Sequence, residues 1–407
     1  MKIHYIIYIA TVAALASCDL VSPGEVENPN VETSDFVQST DAMKAWVNGV
    51  DACFGTCISK FAEYGGILSD DMQNTSSRSS KTYDVLDILY TDNEVSSLST
   101  RIGEMIEMTD FGLETVAEND PTATAAQRWH LTAVKAVALL LGAENFVALP
   151  REARGEVLES QALVQEALRV LQQGEADAST EADQALLALL RARAYRLAGE
   201  VAAALEQADR AIRLAPELLL QVQFDALNGF ENSVQEYVAG GLFSILPRLV
   251  HQKVKCPQAG LYEQPIAYAK IEEAYLVKAE AETAQGKWTE AQATLSALLN
   301  VIAGRDATVT LTTVTSDQVE AATTREALLT VIYLLRQETF FAEGRRQGDM
   351  GIRLPLSEVE FKEQGNLPES YTLPLIPAYL QEIRTSIDQH EDLNERMVKG
   401  GVCPFVE

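Results

Sequence analysis

Two short patterns of alanine and glycine constrain this chain more than any other feature. Each pattern places a glycine seven residues after one alanine and five residues before another. The two copies are Ala192, Gly199 and Ala204, and Ala279, Gly286 and Ala291. Small side chains let two antiparallel helices approach closely, and glycine readily adopts the conformation that reverses the chain between them. Each copy therefore predicts a helical hairpin, and the repetition predicts that hairpins recur along the chain.

Apolar residues recur with a 3.6-residue period through nearly every other patterned segment, which predicts an overwhelmingly α-helical protein. Pro216 follows the first hairpin where a tetratricopeptide unit has its terminal proline. The hairpins are therefore similar to tetratricopeptide repeats, with plain helical hairpins as the alternative. The sequence predicts an all-α fold of such hairpins forming a right-handed superhelical scaffold, with inserted loops and a largely irregular C-terminal region. Residues 309–314 alternate Thr with Val and Leu, which predicts one short strand.

Local signals predict where two of the long helices begin. Thr40 or Asp41 is expected to cap the first helix, which two consecutive glycines at positions 65 and 66 should end. Asp120-Pro121 places a proline at a helix start and predicts that the following helix, apolar on most sides, begins there. A helix that is apolar on most sides is expected near the centre of the molecule.

The N terminus carries the pattern of an export signal. Lys2 precedes an apolar run over residues 5–16, which spans about 18 Å as a helix and is too short to cross a bilayer core of roughly 30 Å. The Leu-Ala-Ser-Cys sequence ending at Cys18 resembles a bacterial lipobox, in which the cysteine is lipidated after the preceding residues are removed. Two or more acyl chains form a stable membrane anchor. Cleavage after Ala16, which would release a soluble periplasmic protein, is the alternative.

These signals predict the organisation of the whole chain. An excursion rich in glycine and proline, residues 228–265, interrupts the hairpins. The predicted parts are a signal peptide (1–17), a tether (18–38) and a single helical body (39–407), which comprises N-terminal helices with a ligand loop (39–150), hairpins (151–300) and a C-terminal region (301–407).

Composition and motifs exclude several functions. The chain carries 32 basic and 59 acidic side chains, a formal charge of -27, and such a field repels nucleic acids and anionic lipid surfaces. Hydrolase, phosphate-loop and zinc-protease motifs are absent from the sequence. His130, His251 and His390 are scattered, without the paired cysteine spacing of a zinc site. We therefore expect a protein without catalytic activity, metal or cofactor. A glycosidase using two carboxylates is the enzymatic alternative.

Four cysteines remain after Cys18, and an exported protein is in a compartment that permits disulfides. They allow three pairings. Cys53 and Cys57 are four residues apart on an apolar helical face, where a bridge is geometrically marginal, whereas Cys256 and Cys403 each precede a proline in loop-like sequence and could meet. The pairing stays open, with buried free thiols as the expected state of most of them.

A polar segment rich in Ser, Asn and Asp covers residues 69–81 and predicts a long surface loop. Such loops on helical scaffolds often carry binding residues, with a merely solvated loop as the alternative. The candidate ligand contacts are Asp71, Gln73, Asn74 and Arg78, with Tyr83 as an aromatic neighbour. Secondary aromatic candidates near the excursion are Tyr237, Phe243, Tyr262 and Tyr268. The three tryptophans, Trp46, Trp129 and Trp288, lie within apolar helical patterns and are expected in the core.

The densest charged pattern covers residues 336–349. Its two adjacent arginines could clamp a carboxylate or a phosphate. The favoured interpretation is an internal network of ion pairs at a helix end, because each cation has a carboxylate within one helical turn. The residues of this structural motif are Glu343, Arg345, Arg346 and Asp349, with Phe340 and Phe341 packed beneath them.

Together these features resemble the SusD/RagB family of outer-membrane lipoproteins of nutrient uptake. The resemblance rests on the lipobox at Cys18, on the helix over 127–141 followed by 146–150, and on 268–281, a helix that ends in Ala-Glu-Ala. Its most telling part is 341–349, which is similar to the family signature Phe-x-Glu-Gly-x-Arg-x-x-Asp. The matches are spread over most of the mature chain.

The resemblance implies a non-catalytic protein with a tetratricopeptide-like scaffold and ligand loops on the opposite face. Such proteins bind nutrient oligomers, oligosaccharide or peptide, outside the cell. They act as a lid on a TonB-dependent, SusC-like β-barrel transporter in the outer membrane. The rival hypothesis is a tetratricopeptide lipoprotein that assembles outer-membrane proteins and binds no small ligand.

Overall fold

The computed structural model describes residues 36–76, 79–152, 155–245, 252–255, 260–381 and 393–405. The predicted signal peptide, Cys18, and Arg78 and Cys256 lie outside these ranges. None of the described helices is both long enough and apolar enough to cross a membrane.

Helices account for most of the described chain, as predicted. In the N-terminal half they are α1 (Ala42–Ile67), α2 (Asn93–Phe111), α3 (Ala125–Asn145), α4 (Ser160–Gln173), α5 (Glu181–Leu197), α6 (Val201–Leu214) and α7 (Ser233–Ala239). The others are α8 (Ile271–Ala284), α9 (Trp288–Ala303), α10 (Ser316–Ala321), α11 (Arg325–Thr339), α12 (Arg346–Asp349), α13 (Glu358–Gln364), α14 (Ala378–Gln381) and α15 (Leu393–Lys399). After α11 the described helices are short and separated by irregular chain, which confirms the expected character of the C-terminal region.

The two alanine and glycine patterns form helical hairpins, as predicted. Helices α5 and α6 pack against each other, α8 packs against α9, and α6 packs against α8, so the hairpins stack. The four alanines of the two patterns are fully buried. Gly199 and Gly286 both have positive φ, 77° and 74°, and turn the chain between the helices of each pair.

In the part of the chain that the structure describes, six short strands form three antiparallel pairs on this helical frame. They are β1 (Met72–Asn74) with β5 (Phe243–Ile245), β2 (Ala148–Pro150) with β3 (Val157–Glu159), and β4 (Leu219–Val222) with β6 (Ile266–Lys270). The strand predicted over residues 309–314 was wrong, since this segment is irregular. The hydroxyls of Thr312 and Thr313 in this segment donate hydrogen bonds to the Glu338 carboxylate.

Helix α1 begins where predicted, with Asp41 at its N-cap position but a different residue as the side-chain cap, whereas α3 begins later than predicted. The Asp120 carboxylate accepts hydrogen bonds from the backbone N–H of Met43, 2.8 Å, in the first turn of α1, and from that of Thr122. Asp41 lies at the start of α1 with a φ of 65° but makes no side-chain cap. Helix α3 begins only at Ala125, with Thr124 in a capping box. Asp120 thus caps a distant helix, and α1 runs past its paired glycines to Ile67.

The tryptophan prediction was correct for Trp129 and wrong for Trp288. Trp129 is 3% exposed within α3. Trp46 is partly buried and donates its indole N–H to the Met108 carbonyl. Trp288 is 44% exposed and occupies the first position of α9, directly after the turn.

Candidate ligand-binding surface

Over residues 69–76, the segment 69–81 is largely buried and is not the surface loop that its composition predicts. Ser69, Asp70, Asp71 and Asn74 are all 2% exposed or less, because β1 pairs with β5 of the excursion. The side-chain amide of Gln337 donates to Asp71 over 3.2 Å. Polar residues in this segment therefore form hydrogen bonds with groups in the protein interior. The prediction that Asp71 and Asn74 face solvent was wrong.

The other candidates in this segment have different positions. Gln73 is partly exposed and lies opposite Ser244, on the other face of β1 from its buried neighbours. Tyr83 is 1% exposed and donates its hydroxyl proton to Asp92, 3.1 Å. Burial, together with the Asp92 charge, raises the pKa of the Tyr83 hydroxyl well above its ordinary value. Tyr83 is thus a support within the core, and a ligand cannot stack on it.

The pairing of β1 with β5 brings the early segment and the excursion together at one surface. At that place Lys60 of α1 lies over two half-buried tyrosines: its Nζ is 5.9 Å from the ring centre of Tyr64 and 5.8 Å from that of Tyr237. Tyr64 packs edge-on against Tyr83, and Tyr237 packs against Phe243. We call Lys60, Tyr64 and Tyr237 the tyrosine platform.

The tyrosine platform combines apolar faces with polar ends. The Lys60 side chain is 30% exposed, and its ammonium donates to Glu63 over 2.7 Å. Two phenol rings and one cation at a partly exposed surface form an amphipathic contact of the kind that binds ligands with both apolar faces and hydroxyls. Of the secondary aromatic candidates, Tyr237 belongs to the platform and Phe243 supports it. Tyr262 and Tyr268 lie elsewhere.

The sequence reasoning missed Lys60 and Tyr64. They are one helical turn apart on α1, beside the stripe of apolar residues that faces the core. The sequence did contain one indication of this surface: a lysine and a tyrosine at positions i and i+4 near a helix end lie side by side on the helix. That signal is weak, because only the pairing with Tyr237, far away in sequence, makes the two residues a surface.

The charged motif lies in the interior, and most of its ion-pair partners differ from those expected. Sequence proximity suggested that its charges pair with one another. Asp349 does pair within the pattern, with Arg336, and also meets Arg196 of α5. The other three meet partners outside the pattern: Arg345 with Glu273 and Glu144, Arg346 with Asp70, and Glu343 with Lys253 and Lys270. The arginines are therefore committed to carboxylates of the protein itself, and we call this group the charged core.

Phe340 is at the centre of the charged core. Lys270, Arg336 and Arg345 lie over its ring, with their charged groups 5.1, 5.3 and 5.3 Å from the ring centre. The ring is 2% exposed. Cations over a desolvated aromatic face are attracted more strongly than at an exposed surface. The ring thus helps to hold three like charges close together.

Nearby arginines lower the pKa values of Glu144 and Asp349 in the charged core despite burial. Burial alone would raise the pKa of Glu144, but Arg193 and Arg345 outweigh it and lower that pKa to about 2. The same balance lowers the pKa of Asp349, whose burial is outweighed by Arg336 and Arg196. Lys253 is the exception, since burial outweighs the attraction of Glu343 and lowers its pKa to about 7. The buried carboxylates and cations of this region therefore pair with one another and stabilise the fold.

Gly344 shows why the motif contains a glycine. Its φ is +70°, in the left-handed region, and a Cβ at this position would be 2.6 Å from the carbonyl carbon of Phe61 in α1. A Cβ on Gly65 would in turn be 2.9 Å from the Cα of Gly344. Because both residues are glycines, the turn at Gly344 can lie directly on the backbone of α1, a few residues from the platform.

The described cysteines carry no disulfide. Cys53, Cys57 and Cys403 are free thiols, and burial raises the pKa of Cys57 to about 12. The pairing considered for Cys256 concerns a residue outside the described ranges. Within those ranges, no group of His, Cys, Asp or Glu side chains is arranged to hold a metal ion.

Solved structures with the same arrangement of stacked hairpins define the class of fold. A SusD superfamily protein from Bacteroides fragilis is 17% identical, with 82% of this chain and 100% of that chain covered and a TM-score of 0.63. A SusD-like carbohydrate binding protein from Bacteroides vulgatus is 12% identical, covering 76% and 82%, with a TM-score of 0.58. NanU of Bacteroides fragilis is 11% identical, covering 86% and 96%, with a TM-score of 0.56.

The chain therefore has the SusD fold, and the resemblance in fold inferred from its motifs is confirmed. No protein-family model matches the sequence. No curated protein matches it either.

Proposed function

We propose that this protein is a cell-surface binding protein for nutrient oligomers, with an oligosaccharide as the ligand in preference to a peptide. The observation that carries the proposal is the tyrosine platform, where the early segment and the excursion meet through the β1–β5 pair. The description of one structural neighbour as a SusD-like carbohydrate binding protein supports the same ligand class.

The chemistry of the platform suits a sugar ring. A pyranose presents an apolar C–H face that packs on a phenol ring, while its hydroxyls accept and donate hydrogen bonds at the ring edge. Lys60 has three N–H donors on a flexible stem, and the two tyrosine hydroxyls can both donate and accept.

The proposal extends to anchoring and delivery. We propose Cys18 as the lipidation site and the outer membrane, with the protein facing the exterior, as its location. We further propose that the protein delivers its ligand as a lid to a TonB-dependent, SusC-like β-barrel transporter. The broad faces of tetratricopeptide-like hairpins suit burial against another protein, which leaves the inserted segments for ligand.

Binding assays with substituted platform residues test the ligand proposal. Isothermal titration calorimetry with maltohexaose, cellohexaose, xylohexaose and mannohexaose is expected to show binding of at least one of them. Tyr64→Ala and Tyr237→Ala should each weaken that binding at least tenfold. Trp288→Ala is the control, because it removes an exposed aromatic residue outside the platform. Equal losses in all three variants, or turnover of the bound sugar, would contradict the proposal.

Affinity purification from outer membranes tests the partner. The protein carrying a C-terminal tag should co-purify with a TonB-dependent barrel in equal amounts. The variant Cys18→Ser should fail to incorporate radiolabelled palmitate and should lose the membrane fraction. Recovery of assembly-machinery subunits without a transporter barrel would instead favour the scaffold hypothesis.

A further inference from the structure

A second concave site lies on α1, away from the tyrosine platform. It is a cleft of about 400 Å³ between α1, α3 and β4. Its lining includes Asp51, His130, Gln221, Gln223, Phe230 and Tyr268. We call it the α1–β4 cleft. Asp51 and Lys60 are nine residues apart on α1, which corresponds to about 13 Å along the helix, so the two sites are separate.

The aromatic wall of the cleft is held in place by backbone packing. The Phe230 ring lies directly against α1 at Gly55, where a Cβ would be 2.3 Å from its Cζ atom. Phe230 also packs on Phe224, with ring centres 5.0 Å apart. Backbone hydrogen bonds in both directions between Asp225 and Phe230, 2.7 and 3.0 Å, close the loop that carries the ring. Glycine at position 55 is thus what allows this wall to form.

A second aromatic residue of the cleft lining, Tyr268, is also held in place by packing. Tyr268 of β6 packs edge-on against Phe54, with ring centres 5.0 Å apart. Burial, with a contribution from Asp51, raises the pKa of the Tyr268 hydroxyl to about 12, so it remains a neutral hydrogen-bonding group. The register of β4 shifts between Leu220 and Gln221, and such an irregularity redirects side chains next to binding sites.

The polar lining of the cleft carries hydrogen-bonding groups of several kinds. The His130 ring Nε2 is 2.6 Å from an Asp51 carboxylate oxygen, and both side chains are at least a third exposed. The side chains of Gln221 and Gln223 add amide donors and acceptors, and Gln223 is exposed. None of the described lining residues is a lysine or an arginine. An anionic ligand would therefore meet a carboxylate without a fixed cation to balance it.

From this geometry we infer that the α1–β4 cleft is a second binding site, which takes a single neutral pyranose unit. The aromatic side chains of Phe230 and Tyr268 suit the apolar face of the ring, and the carboxylate, imidazole and amides suit its hydroxyls. The volume lies within the range of small-ligand pockets, about 300–1,000 Å³. The inference rests on the geometry of the cleft and not on the tyrosine platform.

Saturation-transfer NMR on the full chain tests the inference. The probes are the methyl glycosides of glucose, galactose, mannose and N-acetylglucosamine, each at millimolar concentration. At least one is expected to show transfer with the unsubstituted protein. Asp51→Asn and Gly55→Ala should each reduce its affinity at least tenfold, the first by changing a hydrogen-bonding group and the second by displacing the Phe230 ring.

Control variants separate this inference from the proposed function. Gln223→Ala should weaken the probe's binding, whereas Gln172→Ala, an exposed glutamine on α4, should leave it unchanged. Tyr237→Ala should also leave it unchanged, because that residue belongs to the platform. Circular dichroism establishes that each variant is folded. The inference is overturned if no probe shows transfer, or if Tyr237→Ala abolishes transfer while Asp51→Asn and Gly55→Ala do not.

Discussion

Positive charges lie over aromatic rings in two regions of this protein, in the charged core around Phe340 and at the tyrosine platform around Lys60. The distances are similar, between 5.1 and 5.9 Å. Burial separates the two regions, since Lys270 is 1% exposed and Lys60 is 30% exposed. In the core each cation is also fixed by carboxylates and carbonyls, so no ligand can reach it. The same pair of side-chain types is therefore structural in one region and available for binding in the other.

The largest expected effect comes from breaking a buried ion pair of the charged core. Arg196 of α5 contacts the Glu280 carboxylate of α8 through two nitrogens, 2.5 and 3.1 Å away, and so links the two hairpins. Glu280 is fully buried. Arg196→Met would leave that carboxylate without its guanidinium, and we expect the free energy of unfolding to fall by about 3–5 kcal/mol. Urea unfolding followed by circular dichroism measures it.

Two further variants sharpen this prediction. Arg196→Met combined with Glu280→Leu removes both charges and should lose less stability than Arg196→Met alone, because the uncompensated charge is gone. Arg213→Ala removes one partner of an exposed pair with Asp209 and should change the free energy by less than about 1 kcal/mol. Similar losses for Arg196→Met and Arg213→Ala would show that burial does not distinguish the pairs.

The next effect concerns the glycine that brings the charged core against α1. Gly344→Ala combines a left-handed backbone with a clash against the Phe61 carbonyl group, and we expect a loss of about 2–4 kcal/mol. Gly286→Ala is matched to it, since its φ is +74° but nothing lies within 4 Å of the added Cβ. That variant should lose only about 1–2 kcal/mol, the cost of the backbone conformation. Equal losses in thermal and urea unfolding would refute the role of the close approach.

A smaller effect should appear as a pH dependence of stability. The pKa of Lys253 is lowered by burial from 10.5 to about 7, so between these values the unfolded chain binds more protons at this group than the folded chain does. Stability contributed by this group therefore rises as pH increases above about 7, with a slope of at most about 1.4 kcal/mol per pH unit. Urea unfolding between pH 6.5 and 8 should show this rise.

Lys253→Met identifies the origin of that slope. The difference in unfolding free energy between the unsubstituted protein and this variant should grow in favour of the unsubstituted protein as pH rises from 6.5 to 8. Lys44→Met, which changes an exposed lysine of α1, should leave the slope unchanged. A difference that is constant with pH would mean that Lys253 remains fully charged in the folded protein.

The sequence predicted the hairpins because their determinants are local. An alanine at a helix contact and a glycine at a left-handed turn act within a dozen residues, so the spacing around Gly199 and Gly286 was sufficient. Helix ends were predicted less well where a distant residue intervenes. Asp120 caps α1 from across the molecule, and no pattern near residue 41 records that contact.

The binding surface was harder to predict because it depends on pairing between segments about 170 residues apart. Composition indicated that segment 69–81 is polar, and polarity alone cannot distinguish a solvated loop from one whose polar groups bind interior partners. Asp71 and Asn74 belong to the second kind. Tyr237 was named from the sequence, but Lys60 and Tyr64 became visible only when the β1–β5 pair placed them beside it. Motif proximity likewise suggested the wrong partners for Arg345 and Arg346.

The smallest expected change in stability is also the most direct test of the contrast between the two regions. Lys60→Met and Lys270→Met make the same substitution at a lysine that lies over an aromatic ring. Lys270 donates to the Thr339 carbonyl and to Glu343, both 2.6 Å away in the interior, so its loss should cost several kcal/mol. Lys60→Met should cost less than about 1 kcal/mol, because its ion pair is partly solvated.

Binding should show the opposite order. Lys60→Met is expected to weaken the best hexasaccharide about three- to tenfold in calorimetry, since it removes a cation and its donors from the tyrosine platform. Lys270→Met, assayed at a temperature where it is fully folded, should bind that hexasaccharide as the unsubstituted protein does. Suppose that Lys60→Met were instead the more destabilising change and left binding intact. Lys60 would then stabilise the fold, as Lys270 does, and the platform would not be the binding surface. The ligand would then have to bind where neither cation lies.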